Sequence, residues 1–183
     1  MNNPAPKEWQ SADLSRGYVA DYKAFNFVDG EGVRCSLYVS GCPFHCEGCY
    51  NKAAQSFQYG IPFTSELLDK IIGDVGHVSV QGLTLLGGEP FLNTETCLTV
   101  CKKVRAEFGD AKDIWSWTGY TFEEMMQETE DKLELLSYVD VLVDGRFEQT
   151  LFDPNLAFRG SSNQRIIDVK KSMAKGEVVL YME

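Results

Sequence analysis

Three cysteines within eight residues, Cys42, Cys46 and Cys49, constrain this chain more than any other stretch. They are spaced C-x3-C-x2-C inside Val39-Ser40-Gly41-Cys42-Pro43-Phe44-His45-Cys46-Glu47-Gly48-Cys49-Tyr50-Asn51. Three thiolates on one short loop can hold three corners of a metal cluster. The missing fourth is informative. Ordinary four-iron clusters take four Cys ligands, and structural zinc sites are closed by four ligands. A cluster held by three keeps one iron open for a small molecule, which suits chemistry better than storage of electrons. The alternative is a zinc knuckle with His45 as the fourth ligand.

The six cysteines could instead form three disulfides, so the compartment matters. Met1 to Glu8 is polar and carries no apolar signal region. No apolar run approaches the length of a membrane span. Reduced thiolates in a cytoplasmic protein are expected. The 183 residues fit one domain, and 44% hydrophobic residues suffice for a core. A formal net charge of −10 has the wrong sign for a nucleic-acid binder, because phosphates need a basic face. Neither nucleic acid nor membrane is expected as a partner.

Residues 1–20 have no sustained period and read as a loosely attached polar arm, with the domain over 21–183. Asp29 to Arg34 supplies a Gly-containing turn. Cys35, Leu37 and Val39 then alternate as one face of a strand, so Cys35 is a small core residue. A helix is expected near Cys49 to Gln55. Thr64 or Ser65 caps the next helix, whose Leu67, Leu68, Ile71, Ile72 and Val75 form one stripe. Leu83 to Leu86 is a short buried strand ended by Gly87-Gly88-Glu89-Pro90. Asn93 or Thr94 caps a helix with Cys97, Leu98, Cys101, Val104 and Phe108 on its core face, so these two cysteines are packing residues. Ile114 to Trp117 is a third strand, on which Trp115 and Trp117 are read as facing opposite sides. Thr121 and Glu124 make a capping box, and Val139 to Val143 is the fourth strand, ended by Asp144-Gly145-Arg146-Phe147. Residues 148–164 form a long irregular segment of the kind that is usually functional or disordered. Val178 to Met182 is a last short strand.

Strand and helix alternate four times, which argues for a mostly parallel sheet with crossover helices. Too few units are present to close an eight-stranded barrel, so the expected fold is α/β, a partial, open (β/α) barrel. In such sheets sites form outside the carboxyl ends of the strands. The cysteine loop, Gly87 to Pro90, Thr118 to Tyr120 and Asp144 to Phe147 should therefore converge.

The cysteine spacing after an apolar strand, with Gly-Gly-Glu-Pro one unit later, resembles the radical S-adenosylmethionine (SAM) superfamily. Many members place an aromatic residue just before the third Cys; here Gly48 stands there and Tyr50 follows. Gly48-Cys49-Tyr50-Asn51, Trp117-Thr118-Gly119-Tyr120, Val141-Leu142-Val143-Asp144-Gly145 and Arg159-Gly160-Ser161-Ser162-Asn163-Gln164-Arg165 together resemble the activating proteins of the anaerobic ribonucleoside-triphosphate reductase. The similarity covers roughly residues 20–168.

The resemblance implies the following. Cys42, Cys46 and Cys49 ligate a 4Fe-4S cluster, and S-adenosyl-L-methionine binds its open iron. A one-electron donor such as flavodoxin reduces the cluster, SAM is cleaved, and the 5′-deoxyadenosyl radical takes a hydrogen atom from a glycine of the class III reductase, leaving a glycyl radical. Gly48, Cys49, Tyr50, Gly87, Gly88, Glu89 and Thr118 are expected around SAM. The two glycines let backbone approach the ligand without Cβ interference. Asp144, Arg146, Arg159, Ser161, Ser162 and Asn163 would position SAM or the partner loop. Two other readings compete: a radical SAM enzyme acting on a small molecule, and a non-catalytic Cys-rich metal-binding module.

Overall fold

The computed structural model describes residues 3–183. The first two residues of the expected arm lie outside the described residues. The strands are β1 (Tyr18–Asn26), β2 (Arg34–Val39), β3 (Ile61–Pro62), β4 (Gly82–Gly87), β5 (Asp113–Trp117), β6 (Val141–Asp144), β7 (Arg165–Asp168) and β8 (Leu180–Met182). The helices are α1 (Ser11–Leu14), α2 (Ser65–Val75), α3 (Thr94–Phe108), α4 (Phe122–Met125), α5 (Glu130–Tyr138) and α6 (Val169–Lys175). The strands form one mixed sheet, in the order β3-β1-β2-β4-β5-β6-β7-β8. Its two outer strands are not paired with each other, so it does not close.

The centre of the sheet follows the expected pattern. β2, β4, β5 and β6 pair in parallel, with α2, α3 and α5 in the crossovers. The sheet as a whole is not mostly parallel, however. Among the described residues four of the seven strand pairings are antiparallel, all of them toward the edges. The reason is connection length. A parallel neighbour needs a crossover, whereas an antiparallel one needs only a reversal of the chain. β1 turns directly into β2 through the Gly-containing segment at 27–33, and the 145–164 excursion returns the chain as β7 against β6. β1 alternates only half-buried Ala20, Tyr22 and Ala24 with exposed Asp21 and Lys23, and β7 is just four residues long, so neither shows the buried apolar stretch that marks β2. β1 has one buried residue, Val19, in its nine.

Each central strand divides its residues between two cores, as the period of two requires. Cys35, Leu37, Val39, Leu83, Leu85, Ile114 and Leu142 face the helices and pack with Ile71, Val75, Cys97, Cys101 and Val104. Trp115, Val141, Val143 and Ile166 face the other way, with Trp117, Phe158 and Met182 against them. Trp115 and Trp117 therefore share a face, their rings 6.0 Å apart; residues two apart on a strand point the same way, and the expectation of opposite sides is corrected. Beneath Trp115 lies the fully buried Arg34, which donates to Thr84 Oγ1 at 2.7 Å and to the Leu83 carbonyl at 2.8 Å and pairs with Asp113 at 2.6 Å.

The N-terminal residues brace the helical side. Trp9 meets Phe44 edge-on at 5.0 Å, and its carbonyl accepts a hydrogen bond from buried Lys132 at 2.5 Å. Ser11 Oγ accepts from the Thr94 backbone N–H at 2.9 Å and so caps α3. Asn93, the cap expected from local sequence, makes no capping bond and instead donates to the Glu89 carbonyl at 3.0 Å. Thr64 and the Thr121–Glu124 capping box stand as expected. The helix expected from Cys49 is only a short 3₁₀ turn, Lys52–Gln55.

Candidate functional site

The four strand-end loops meet at the carboxyl edge of the parallel strands. They surround a cavity of about 740 Å³ lined by Cys42, Cys46, Cys49, Tyr50, Gly87, Gly88, Glu89, Trp117, Thr118, Arg146 and Arg159, among others. The expected convergence is thus present in the fold. Backbone bonds hold the cysteine loop to its surroundings: the N–H of Gly41 donates to Ala54 at 2.7 Å, that of Cys42 to Gln55 at 3.0 Å, and that of Glu89 to the Gly41 carbonyl at 2.8 Å.

The glycines of the second loop are needed first by the protein itself. Gly87 has φ +99, and a Cβ there would lie 2.8 Å from the Tyr38 Cα and the Val39 carbonyl oxygen. A Cβ on Gly88 would lie 2.6 Å from the Gly41 carbonyl oxygen and 2.9 Å from that of Ala54. The absent side chains therefore let this loop lie against the cysteine loop. Glu89 is 1% exposed and its carboxylate is already occupied. It accepts from the Gly119 N–H at 2.7 Å, the Thr118 hydroxyl at 2.9 Å and the Phe91 N–H at 3.1 Å. Burial pushes its carboxyl up to about 7, against these donors and the charge of Lys132. Glu89 ties the loop after β4 to the loop after β5.

Two of the thiols, Cys42 and Cys46, sit in surroundings that disfavour the bare thiolate. Burial pushes Cys42 well above the usual thiol range, and Glu89 and the other two cysteines add to the effect. Burial also raises Cys46, as does Cys49, while the Phe147 N–H and the Arg146 charge act in the opposite direction. A metal would reverse that preference, because a coordinating thiol is deprotonated outright by its metal. Among the described residues no group of three or more His, Cys, Asp or Glu is placed to hold a metal ion. A zinc knuckle needs four ligands on one centre, whereas a cluster takes one thiolate per iron. His45, the fourth ligand of the zinc alternative, is exposed, has φ +50, and meets the Gln55 side chain through Nδ1 at 3.1 Å. The donor set fits a three-cysteine cluster.

The remaining expected residues divide. Tyr50 is 78% exposed at the cavity mouth, its ring 6.1 Å from that of Phe147. Gly48, at φ +74, lies beside Gln149 and Phe147 outside the cavity lining. Asp144 is buried behind the site, bonded to the Phe122 N–H at 2.7 Å and to Arg165 at 2.5 Å. Ser161 is buried and accepts from the Glu148 N–H at 3.1 Å, whereas Ser162 is exposed. Asn163 donates to the Arg146 carbonyl at 2.8 Å. Three buried polar atoms here lack protein partners: Arg146 Nη2, Arg159 Nε and Asn163 Oδ1. Arg146 and Arg159 line the cavity and Asn163 does not; buried polar groups are normally satisfied, so the two arginine orphans point to a bound group.

Sequence reasoning missed several lining residues, including Lys23, Asp29, Tyr38 and Phe152, and gave no role of their own to Phe147 and Gln164, which stand in stretches it singled out. Gln164 staples the long excursion: its Oε1 accepts from the Gly160 N–H at 2.9 Å and its Nε2 donates to the Gly145 carbonyl at 2.9 Å. A glutamine closing a Gly-Ser-Ser-Asn-Gln run in a long loop was the available signal. Tyr38 and Asp29, joined at 2.5 Å, come from a strand face and a turn with no local mark of function.

Comparison with known proteins agrees with this geometry. A family profile described as a 4Fe-4S single cluster domain matches residues 28–167. The chain is 46% identical over 149 residues to the anaerobic ribonucleoside-triphosphate reductase-activating protein of Pasteurella multocida, covering 79% of this chain and 93% of that protein. It is 42% identical over 147 residues to the protein of that name from Escherichia coli, covering 78% and 93%. The counterpart of Enterobacteria phage T4 is 42% identical over 143 residues, covering 77% and 87%. No helix among the described residues is long and apolar enough to cross a membrane.

Proposed function

The chain belongs to the family of anaerobic ribonucleoside-triphosphate reductase-activating proteins, and from that premise we propose that it is a radical SAM activase for such a reductase. The observation that carries the reading is the meeting of Cys42, Cys46 and Cys49 with the Gly87–Glu89 loop and the 145–164 excursion at one cavity. In this reading the three cysteines hold a 4Fe-4S cluster. When bound and reduced, the cluster supplies the electron that splits SAM into methionine and a 5′-deoxyadenosyl radical, which takes a hydrogen atom from a reductase glycine.

The protein's own residues position and enclose. Cofactors carry the difficult chemistry, while the protein orients them and excludes water. Backbone groups of Gly87, Gly88 and Glu89 face SAM, and the Glu89 side chain keeps Thr118 in register with them. Cys49 and Tyr50 form the rim on the cysteine side, with Gly48 supplying the turn between ligands. Arg159 and Asn163 offer unfilled hydrogen-bonding capacity toward SAM or the incoming loop. Ser161 and Asp144 act through the backbone they fasten, and exposed Ser162 faces the partner. Residues 21–183 are the catalytic domain, an open relative of a (β/α) barrel, and the N-terminal segment braces it. The open side admits a reductase loop, whose glycine Cα must come within roughly 3–3.5 Å of the abstracting carbon. A one-electron donor such as flavodoxin supplies the reductant.

The test is anaerobic reconstitution with iron and sulfide, then reduction with SAM and the anaerobic reductase. A glycyl-radical doublet should arise in the electron paramagnetic resonance spectrum, and deuterium on that glycine should pass to 5′-deoxyadenosine. A colourless, zinc-loaded protein would return the site to the metal-binding module. Turnover of a small metabolite with no radical on the reductase would favour the small-molecule enzyme.

A further inference from the structure

We propose that Arg146 tunes the reduction of the cluster by holding an uncompensated guanidinium beside Cys46. The inference rests on the cysteine assignment proposed above. Arg146 follows the Gly145 turn, φ +92, at the end of β6. Its guanidinium carbon lies 4.5 Å from the centroid of Phe44, a ring set between the first two cysteines of the loop. That ring is 3% exposed and clamped edge-on by Trp9 and Tyr120, each at 5.0 Å. At its other end Arg146 is fixed through its carbonyl by Asn163 at 2.8 Å. Backbone and head group are therefore both held in place.

The charge so placed is not cancelled. Among the described residues Arg146 has no ion-pair partner, and its Nη2 is buried without a hydrogen bond. Arg34 pairs with Asp113, Arg105 with Asp140, and Arg165 with Asp144 and Glu123, whereas Arg159, which shares only the main cavity with Cys46, resembles Arg146 in having no ion-pair partner among the described residues. Arg146 and Cys46 both line the main cavity, and both also line a second one of about 320 Å³. Glu47 and Glu148 border that second cavity, but both are exposed, where water and salt screen them. The Phe147 N–H and the Arg146 charge both favour the Cys46 thiolate against its burial, so one short segment acts twice on the same ligand.

Reduction of the cluster adds one electron and no atom. The electron comes from the one-electron donor, and no bond forms or breaks in the protein. Cluster potentials follow net charge, hydrogen bonds to sulfur and exposure to solvent. A fixed cation in a poorly solvated wall favours the more negative, reduced state, because low local dielectric strengthens the interaction. Groups outside the ligand set tune metal centres in this way.

The experiment is a redox titration of the reconstituted protein without SAM, following the reduced-cluster resonance signal, with iron content measured on each sample. Arg146→Gln should keep its iron and, at a given potential, hold at least tenfold less reduced cluster than wild type. For one electron that is a fall of about 59 mV in midpoint. Arg146→Lys should stay within threefold of wild type. Arg146→Gln with full iron and a midpoint within threefold of wild type would overturn the proposal. If Arg146→Gln does not retain iron, Arg146→His serves instead. Its imidazole, with an ordinary pKa of about 6.5, should give a midpoint that rises as pH falls, beyond any wild-type dependence. No added pH dependence in that variant would equally overturn it. Wild-type protein that takes up no iron would refute the cysteine assignment itself, a result separate from any shift in potential.

Discussion

Gly88→Ala is the most informative single change at the site, because one methyl group separates two roles for the loop. A Cβ at Gly88 would sit 2.6 Å from the Gly41 carbonyl oxygen, 2.8 Å from the Gly41 nitrogen and 2.9 Å from the Ala54 carbonyl oxygen. Ordinary contact begins near 3.4 Å, so the loops must part by about 0.8 Å. All three obstructing atoms are backbone and cannot rotate away. Two hydrogen bonds cross the same seam, Gly41 N–H to Ala54 at 2.7 Å and Glu89 N–H to Gly41 at 2.8 Å. Overpacking costs about 1–3 kcal/mol, and weakening these bonds adds roughly 1 kcal/mol. A loss of about 2–4 kcal/mol should lower the melting temperature of the metal-free protein by roughly 5–15 °C. Because Gly41 adjoins Cys42, iron uptake should fall as well. Gly73→Ala is the control. That glycine lies in α2 with nothing within 4 Å of the added carbon, and the change should stabilise by about 0.5–1 kcal/mol. Melting curves and iron assays on both variants decide the matter. Gly88→Ala with wild-type stability and iron, but no SAM binding, would show that the glycine serves the ligand alone.

Cys42→Ala, Cys46→Ala and Cys49→Ala should each abolish stable iron binding, while Cys35→Ala, Cys97→Ala and Cys101→Ala, buried in the helical core, should keep iron at a cost of about 1 kcal/mol; loss of iron in Cys97→Ala or Cys101→Ala would reveal a second metal site. Glu89 should make stability depend on pH. Its carboxyl, raised by burial to about 7 from an ordinary 4.5, keeps its proton when folded at pH values where the unfolded chain has lost it. Unfolding free energy should thus fall by about 3 kcal/mol as pH rises from roughly 4.5 to 7. Urea titrations of the metal-free protein should show that slope, and Glu89→Gln should flatten it; an unchanged slope in the variant would assign it elsewhere. Ser11→Ala removes the cap on α3 and should cost about 0.5–2 kcal/mol by denaturant unfolding. An unaffected midpoint would mean that solvent replaces the bond.

What could be read from the sequence was chemistry confined to short stretches. The C-x3-C-x2-C loop, the Gly-Gly-Glu-Pro turn and the Thr121–Glu124 capping box each complete their meaning within a few residues. The central strands and the convergence of their end loops were legible for a related reason: alternating apolar residues fix which face is buried, and right-handed crossovers put successive strand ends on one side. The edges of the sheet depended on tertiary structure. β1 buries only Val19 fully and β7 is four residues long, so both depend on the neighbours they pair with. The same holds for details of the site. Glu89 meets Thr118 and Gly119 across 29 and 30 residues, and Ser11 caps a helix 83 residues away. Arg146 lies against Phe44 although about 100 residues separate them. No local propensity encodes such pairings. They are selected when the chain closes and each buried donor, acceptor or charge must find its partner among whatever the fold has brought near.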